Sequence, residues 1–158
     1  MILRDLRRIP VLNRQRRFRI DRKSVALFCT RLLQSLDQPG RAMSIVFVGA
    51  REMRSINLRY LGRDYATDVL SFSYGRVRME DAPFLGEIII APEVAVNQAT
   101  RHRTSPEKEL RKLLVHGTLH LLGYDHERDR GRMNRIQMKL LHRRFFMNSP
   151  PLTRLEAT

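Results

Sequence analysis

Apolar residues recur at helical spacing at Val25, Phe28, Cys29, Leu32 and Leu33. Asp21 stands where a capping carboxylate belongs and Gln38-Pro39-Gly40 stops the run, so the pattern predicts a helix reaching about Leu36. Met43 to Val48 is short and β-rich. The charged stretch from Arg51 to Leu61 carries Met53, Ile56, Leu58 and Tyr60 along one side of a second helix. Further on, Leu70, Phe72 and Tyr74 alternate with Ser71 and Ser73, and Leu85 to Ala91 is apolar apart from Glu87; both read as strands. Between them, Gly75 to Pro83 is polar and mixed in charge, which predicts a surface hairpin or loop. Near the start, Val11, Phe18 and Ile20 sit among alternating polar residues, again as in a strand.

Pro92 suits the first turn of a helix through about Ala99. Thr104-Ser105-Pro106-Glu107 opens another with a capping hydroxyl, an early proline and an acidic first turn. From Leu113 to Leu122 that helix is apolar nearly all round, which places it inside the domain, and it ends at Gly123. A basic helix from about Asp129 to Phe146 follows. Asn148-Ser149-Pro150-Pro151 then begins a stretch too poor in apolar residues to pack. The chain has 158 residues, of which 42% are apolar, enough for one core. The expectation is a single domain over residues 1–147 and a disordered tail over 148–158.

Charge adds the first functional hint. Thirty Lys and Arg against sixteen Asp and Glu leave a net charge of +14. Residues 1–23 and 128–144 hold much of the excess, mostly as arginine, whose planar fork suits phosphate. A solvated, solubilising surface is the plain alternative for any charge run, but an excess this large favours nucleic acid. The Arg-rich start also has the composition of an organelle transit peptide; its strand-like pattern assigns it to the fold. Every apolar stretch is interrupted well before the length of a membrane helix, so no membrane is expected. The single cysteine, Cys29, excludes an internal disulfide and a thiolate-rich zinc finger, and reads as core filler in a reducing compartment.

The chemistry concentrates in His116-Gly117-Thr118-Leu119-His120-Leu121-Leu122-Gly123-Tyr124-Asp125-His126. Residues four apart share a helix face, so His116 and His120 can offer their imidazoles to one ion. Gly123 can adopt the left-handed conformation and return His126 across the helix end. Neutral imidazole suits zinc and related divalent ions, and a three-histidine set leaves a coordination position open, as catalysis needs. His102 and His142 fall outside the spacing and read as ordinary histidines. The spacing is that of the zinc peptidases, but the glutamate that serves those enzymes as general base is replaced by Gly117. Asp125 is the nearest carboxylate in sequence and the candidate acid/base. Together with a polyanion-binding surface, metal-activated water points to phosphodiester rather than peptide hydrolysis.

The eleven-residue motif resembles the signature of the bacterial YbeY proteins, ribosomal RNA maturation factors and single-strand-specific endoribonucleases. Ala66-Thr67-Asp68-Val69-Leu70-Ser71-Phe72 and Leu85-Gly86-Glu87-Ile88-Ile89-Ile90-Ala91-Pro92-Glu93-Val94-Ala95 are similar to further stretches of that family, so the likeness spans roughly residues 55 to 127. It implies an α+β domain with a central four-stranded mixed sheet, surrounding helices, and a metal site on a central buried helix and the turn after it. It also implies one zinc-type ion (Zn2+) on His116, His120 and His126, and cytoplasmic work on single-stranded ribosomal RNA. The site of that work would be the 3′ end of the small-subunit (16S) RNA, with the small ribosomal subunit as partner and a part in ribosome quality control. Where the family has an arginine expected to bind the scissile phosphate, this chain has Leu61; Arg63 and Arg59 are the candidate substitutes. Glu87 stands for an aspartate, either as a partner of a ligand histidine or as a solvent-facing strand residue. Two alternatives remain at this point: an RNA-binding ribosome-assembly factor with a structural metal, and a metalloprotease.

Overall fold

A computed structural model describes residues 6–75, 78–79 and 82–153. The strands are β1 (Val11–Asn13), β2 (Ala42–Phe47), β3 (Val69–Ser73), β4 (Arg78–Met79) and β5 (Ala82–Ile90). The helices are α1 (Arg22–Ser35), α2 (Ala50–Leu61), α3 (Pro92–Arg101), α4 (Pro106–Leu121), α5 (Arg132–Leu141) and the single turn α6 (Arg144–Met147). Four strands form a mixed sheet in the order β1-β2-β5-β3, and the two-residue β4 pairs with the far end of β5. β1, β2 and β5 run parallel, while β3 returns antiparallel to β5. The expected α+β class and four-stranded mixed sheet are therefore present.

The central strands are buried on both faces, which is why Met43–Val48 and Leu85–Ala91 are nearly unbroken apolar runs. On one face Ile45, Phe47, Ile88 and Ile90 pack with Phe28 and Leu32 of α1 and with Leu110 and Leu114 of α4. On the other, Val46, Val48, Leu70 and Ile89 lie under Met53 of α2. Cys29 is fully buried in the first of these clusters, and burial pushes its thiol pKa up. Among the described residues no helix is long and apolar enough to cross a membrane.

Three expectations are corrected. The strand read through Phe18 and Ile20 stops at Asn13, because Gln15 organises a turn: its Nε2 donates to Asn13 Oδ1 (2.7 Å) and Phe18 O (2.8 Å), and its Oε1 accepts from Phe18 N (2.9 Å). The basic helix breaks at Arg143, which is extended (φ −64, ψ 130). A continuous helix would follow its buried stripe of Met133, Gln137 and Leu140 with Arg144. The break turns Phe146 inward instead, edge-on to Phe28 at 5.1 Å.

The third correction concerns the expected tail, which packs through residue 153. Leu152 is fully buried, its carbonyl accepts from Asp21 N (2.9 Å), and Thr153 bridges to Ile20. On α4, Arg111 donates to the carbonyls of Phe146 (2.5 Å) and Ser149 (2.9 Å), while Glu107 accepts from Leu152 N (2.8 Å). One apolar side chain and one ion pair thus dock a segment whose composition alone reads as loose. Residues 154–158 lie outside the described residues, as do positions 76–77 and 80–81 of the expected loop between β3 and β5; its described residues 78–79 form β4.

Candidate metal centre

The helix that carries the motif begins as its sequence requires. Ser105 caps it by accepting from Lys108 N (3.1 Å), Pro106 occupies its first turn, and Glu107 and Glu109 lie near its positive end. Its end is set by Gly123 at φ +92: Gly123 N donates to His120 O (3.0 Å) and Tyr124 N to Leu119 O (3.1 Å), the paired bonds of a left-handed helix stop. The chain thereby turns back and brings His126 to the two helical histidines. The ring centroids of His116, His120 and His126 lie 4.6, 5.4 and 5.2 Å apart, and one nitrogen from each falls within 4.8 Å of the others.

Hydrogen bonds fix the orientation of two of these rings. His116 Nδ1 meets Gln137 Oε1 at 3.0 Å, and His120 Nδ1 meets the Tyr124 carbonyl at 3.0 Å. Both acceptors are oxygens, so a neutral imidazole at either position places its proton on Nδ1 and leaves Nε2 as the ligand atom. Those two Nε2 atoms face each other at 3.0 Å. Two neutral rings so oriented repel unless a proton or a metal ion lies between the two nitrogens, and a divalent ion is the occupant that all three histidines could share. Desolvation lowers the pKa of His116, and the neighbouring His120 and His126 add to this, while the Gln137 bond and the charge of Asp68 oppose it. The net result favours the neutral, ligating imidazole.

The remaining expected residues are less concentrated. Asp125 spends Oδ1 on Glu127 N (3.0 Å), and its Oδ2 lies 3.7 Å from Arg128 Nε, so its described contacts are within its own turn. Glu87 lies on the α2 face of the sheet, where it accepts from Ser44 (2.9 Å); the solvent-side reading is the one the fold supports. Arg59 lines a groove on that same face with Glu87 and Phe72, away from the histidine helix. Arg63 is exposed just beyond the left-handed cap Gly62, and Leu61 is half-exposed with no charge to offer.

Two residues escaped the sequence reading. Gln137 is a polar residue in the buried stripe of α5, and a polar side chain in such a stripe implies a partner, which here is His116. Asp68, just before β3, is the carboxylate whose charge reaches His116; its Oδ1 also accepts from Val69 N (2.8 Å). Only the fold brings the start of β3 toward α4.

The profile of the family described as Endoribonuclease YbeY matches residues 10–144. A protein named Endoribonuclease YbeY from Thermodesulfovibrio yellowstonii is 33% identical over 150 residues, covering 84% of this chain and 94% of its own. A second of that name, from Syntrophus aciditrophicus, is 34% identical over 141 residues and covers 88% of each chain. Among solved structures, the solution structure of TM1509 from Thermotoga maritima matches with a TM-score of 0.58 and 27% identity, covering 83% of this chain and 85% of that one. A motif whose histidines converge in space, a matching fold, and likeness over nearly the whole chain lead to one assignment: this chain belongs to the Endoribonuclease YbeY family.

Proposed function

We propose that the chain is a metal-dependent endoribonuclease that cuts single-stranded RNA, with one divalent ion, most naturally Zn2+, held by His116, His120 and His126. The observation that carries this reading is the convergence of the three histidines, with two Nε2 atoms 3.0 Å apart on rings each held by a bond at its own Nδ1. Family membership supplies the reaction class, since the relatives are named endoribonucleases. A net charge of +14 supports a polyanionic substrate. The ion, when bound, supplies Lewis acidity, polarising a phosphoryl oxygen and lowering the pKa of water.

The chain supplies the rest. Gln137 and the Tyr124 carbonyl hold the two helical imidazoles in one tautomer and one orientation. Asp68 is the better-placed proton acceptor, with Asp125 as the alternative. Arg63 is the proposed phosphate contact in place of the family arginine, because it is exposed on the loop leading to Asp68. The proposed setting is cytoplasmic maturation of the 3′ end of small-subunit ribosomal RNA and quality control of the small subunit.

Leu61 favours a second reading, an RNA-binding assembly factor with a structural ion and little turnover. Metal analysis and RNA cleavage separate the two. The nuclease reading expects about one ion per chain and loss of a labelled single strand that stops in chelator and in His116→Ala. One bound ion with the strand left intact would move the assignment to the assembly factor. Asp68→Asn is expected to slow cleavage more than Asp125→Asn; the reverse order would return the proton acceptor to Asp125.

A further inference from the structure

α2 covers only part of its face of the sheet. Met53 closes over Val46, Leu70 and Ile89, but alongside that helix a groove of about 380 Å3 stays open, lined by Arg14, Arg59, Tyr60, Phe72, Tyr74 and Glu87 among others. Aromatic rings cluster here. Tyr60 meets Phe72 edge-on at 5.5 Å, and Tyr74 lies nearly parallel to Phe84 at 5.7 Å and 19°. Tyr60 and Tyr74 nevertheless leave 61% and 49% of their surface in water. Large rings held in place yet exposed are poor core and good contact surface.

A backbone irregularity builds the arrangement. β5 carries one extra residue between the partners of Ala42 and Ser44, so Phe84 and Glu87 emerge on the same face. Gly86 provides it at φ +149, where a β-carbon would collide with the Phe72 carbonyl. The charged groups sit around the rings. The Arg59 guanidinium stands over the Tyr60 ring at 5.5 Å, and Arg14 pairs with Glu52 at 3.2 Å in an exposed contact that is weak enough to exchange for another anion. Glu87 accepts from Ser44, which uses one of about four acceptor positions of a carboxylate.

Bases of a single strand expose the π-faces that such rings bind, and a duplex hides them. We propose that the sheet face between α2 and β3 is a base-stacking subsite for single-stranded RNA. Tyr60 and Tyr74 stack on bases, Arg14 and Arg59 meet the phosphates, and Glu87 accepts from an exocyclic amino group, which favours adenine, cytosine and guanine over uracil. The inference rests on the RNA reading above. β3 links the two sites: Phe72 faces the groove, while Ser71 on its other face reaches the Gly117 carbonyl at 3.4 Å, beside His116. Among the described residues β3 ends the sheet on the side away from β1, so the platform and the histidine helix occupy opposite faces of one sheet edge.

The test measures anisotropy of a labelled adenine-rich single strand of about a dozen nucleotides on the full chain carrying His116→Gln, so that it is bound and not cut. Tyr60→Ala and Tyr74→Ala are each expected to weaken binding about tenfold, the size of one base–aromatic stack. Tyr74→Phe keeps the ring and restores affinity. In the metal-loaded protein the alanine variants raise KM and leave kcat unchanged. Unchanged affinity and KM in both alanine variants of a protein that still cuts RNA overturns the subsite and leaves the nuclease reading standing. Ring-dependent binding by a wild type that cuts nothing supports the subsite and sinks the nuclease reading. A duplex that competes as well as a single strand also overturns the subsite.

Discussion

Gly117 lies against Ile88 so closely that a β-carbon on the glycine would stand 3.0 Å from both Cδ1 and Cγ2 of the isoleucine and 3.1 Å from Ser71 Oγ. The position after His116 therefore faces the sheet, not the other histidine rings. Ile88 is fully buried and branched next to the backbone, so it yields little. Helix propensity favours alanine by about 1 kcal/mol, but overpacking a close contact costs about 1–3 kcal/mol. Gly117→Ala is expected to lower stability by about 1 kcal/mol, a fall of about 2–4 °C in Tm by calorimetry. Gly117→Glu, which recreates the peptidase pattern, buries a carboxylate against the sheet; a soluble, folded variant that hydrolysed peptides would refute this placement.

Gln137 is 6% exposed, and its described hydrogen bond to the histidine cluster is with His116. Removing such an outer partner costs about 10–100-fold in metal affinity. Gln137→Ala is expected to show that loss in a competition titration against a chelator of known affinity while keeping its far-UV circular dichroism. An affinity equal to that of the wild type would mean that the Gln137 bond does not orient His116.

With its pKa lowered by burial, His116 binds a proton less readily in the folded chain than in the unfolded one. The unfolded state thus holds more protons over the interval below about 6.5, the ordinary histidine value, so stability is full above that value and declines as pH falls through the folded pKa. Thermal melts in chelator at neutral and mildly acidic pH should show this decline, and His116→Gln should flatten it. An equal decline in both proteins would assign the acid sensitivity to other groups.

The C-terminal segment is expected to contribute to stability. Leu152 is fully buried, and the backbone around it is bonded to Asp21 and Glu107. Leu152→Ala is expected to cost about 2–5 kcal/mol in denaturant unfolding, the range for truncating a buried leucine. A cost below that of an ordinary surface substitution would restore the loose tail that the composition first indicated.

The elements with strong local signals were legible before the fold was known. The α1 cap at Asp21, the Ser105-Pro106 start of α4 and the left-handed stop at Gly123 each depend on neighbours a few residues away, and each stands where the sequence places it. The break at Arg143 was not legible, because it answers to Phe28, more than a hundred positions earlier in the chain. Nor was the docking of Leu152, where one buried side chain outweighs a polar context.

The same division runs through the site. Spacing and one glycine sufficed to foresee that His116, His120 and His126 come together, because a helical turn and a helix stop are local geometries. The tertiary structure decided what surrounds them: Gln137 from α5 on one imidazole, Asp68 from the start of β3, and the sheet against Gly117. It also decided that Arg59 and Glu87 belong to the opposite face, because a strand presents alternate residues to opposite sides and only the packing of α4 and α2 determines which side carries the histidines.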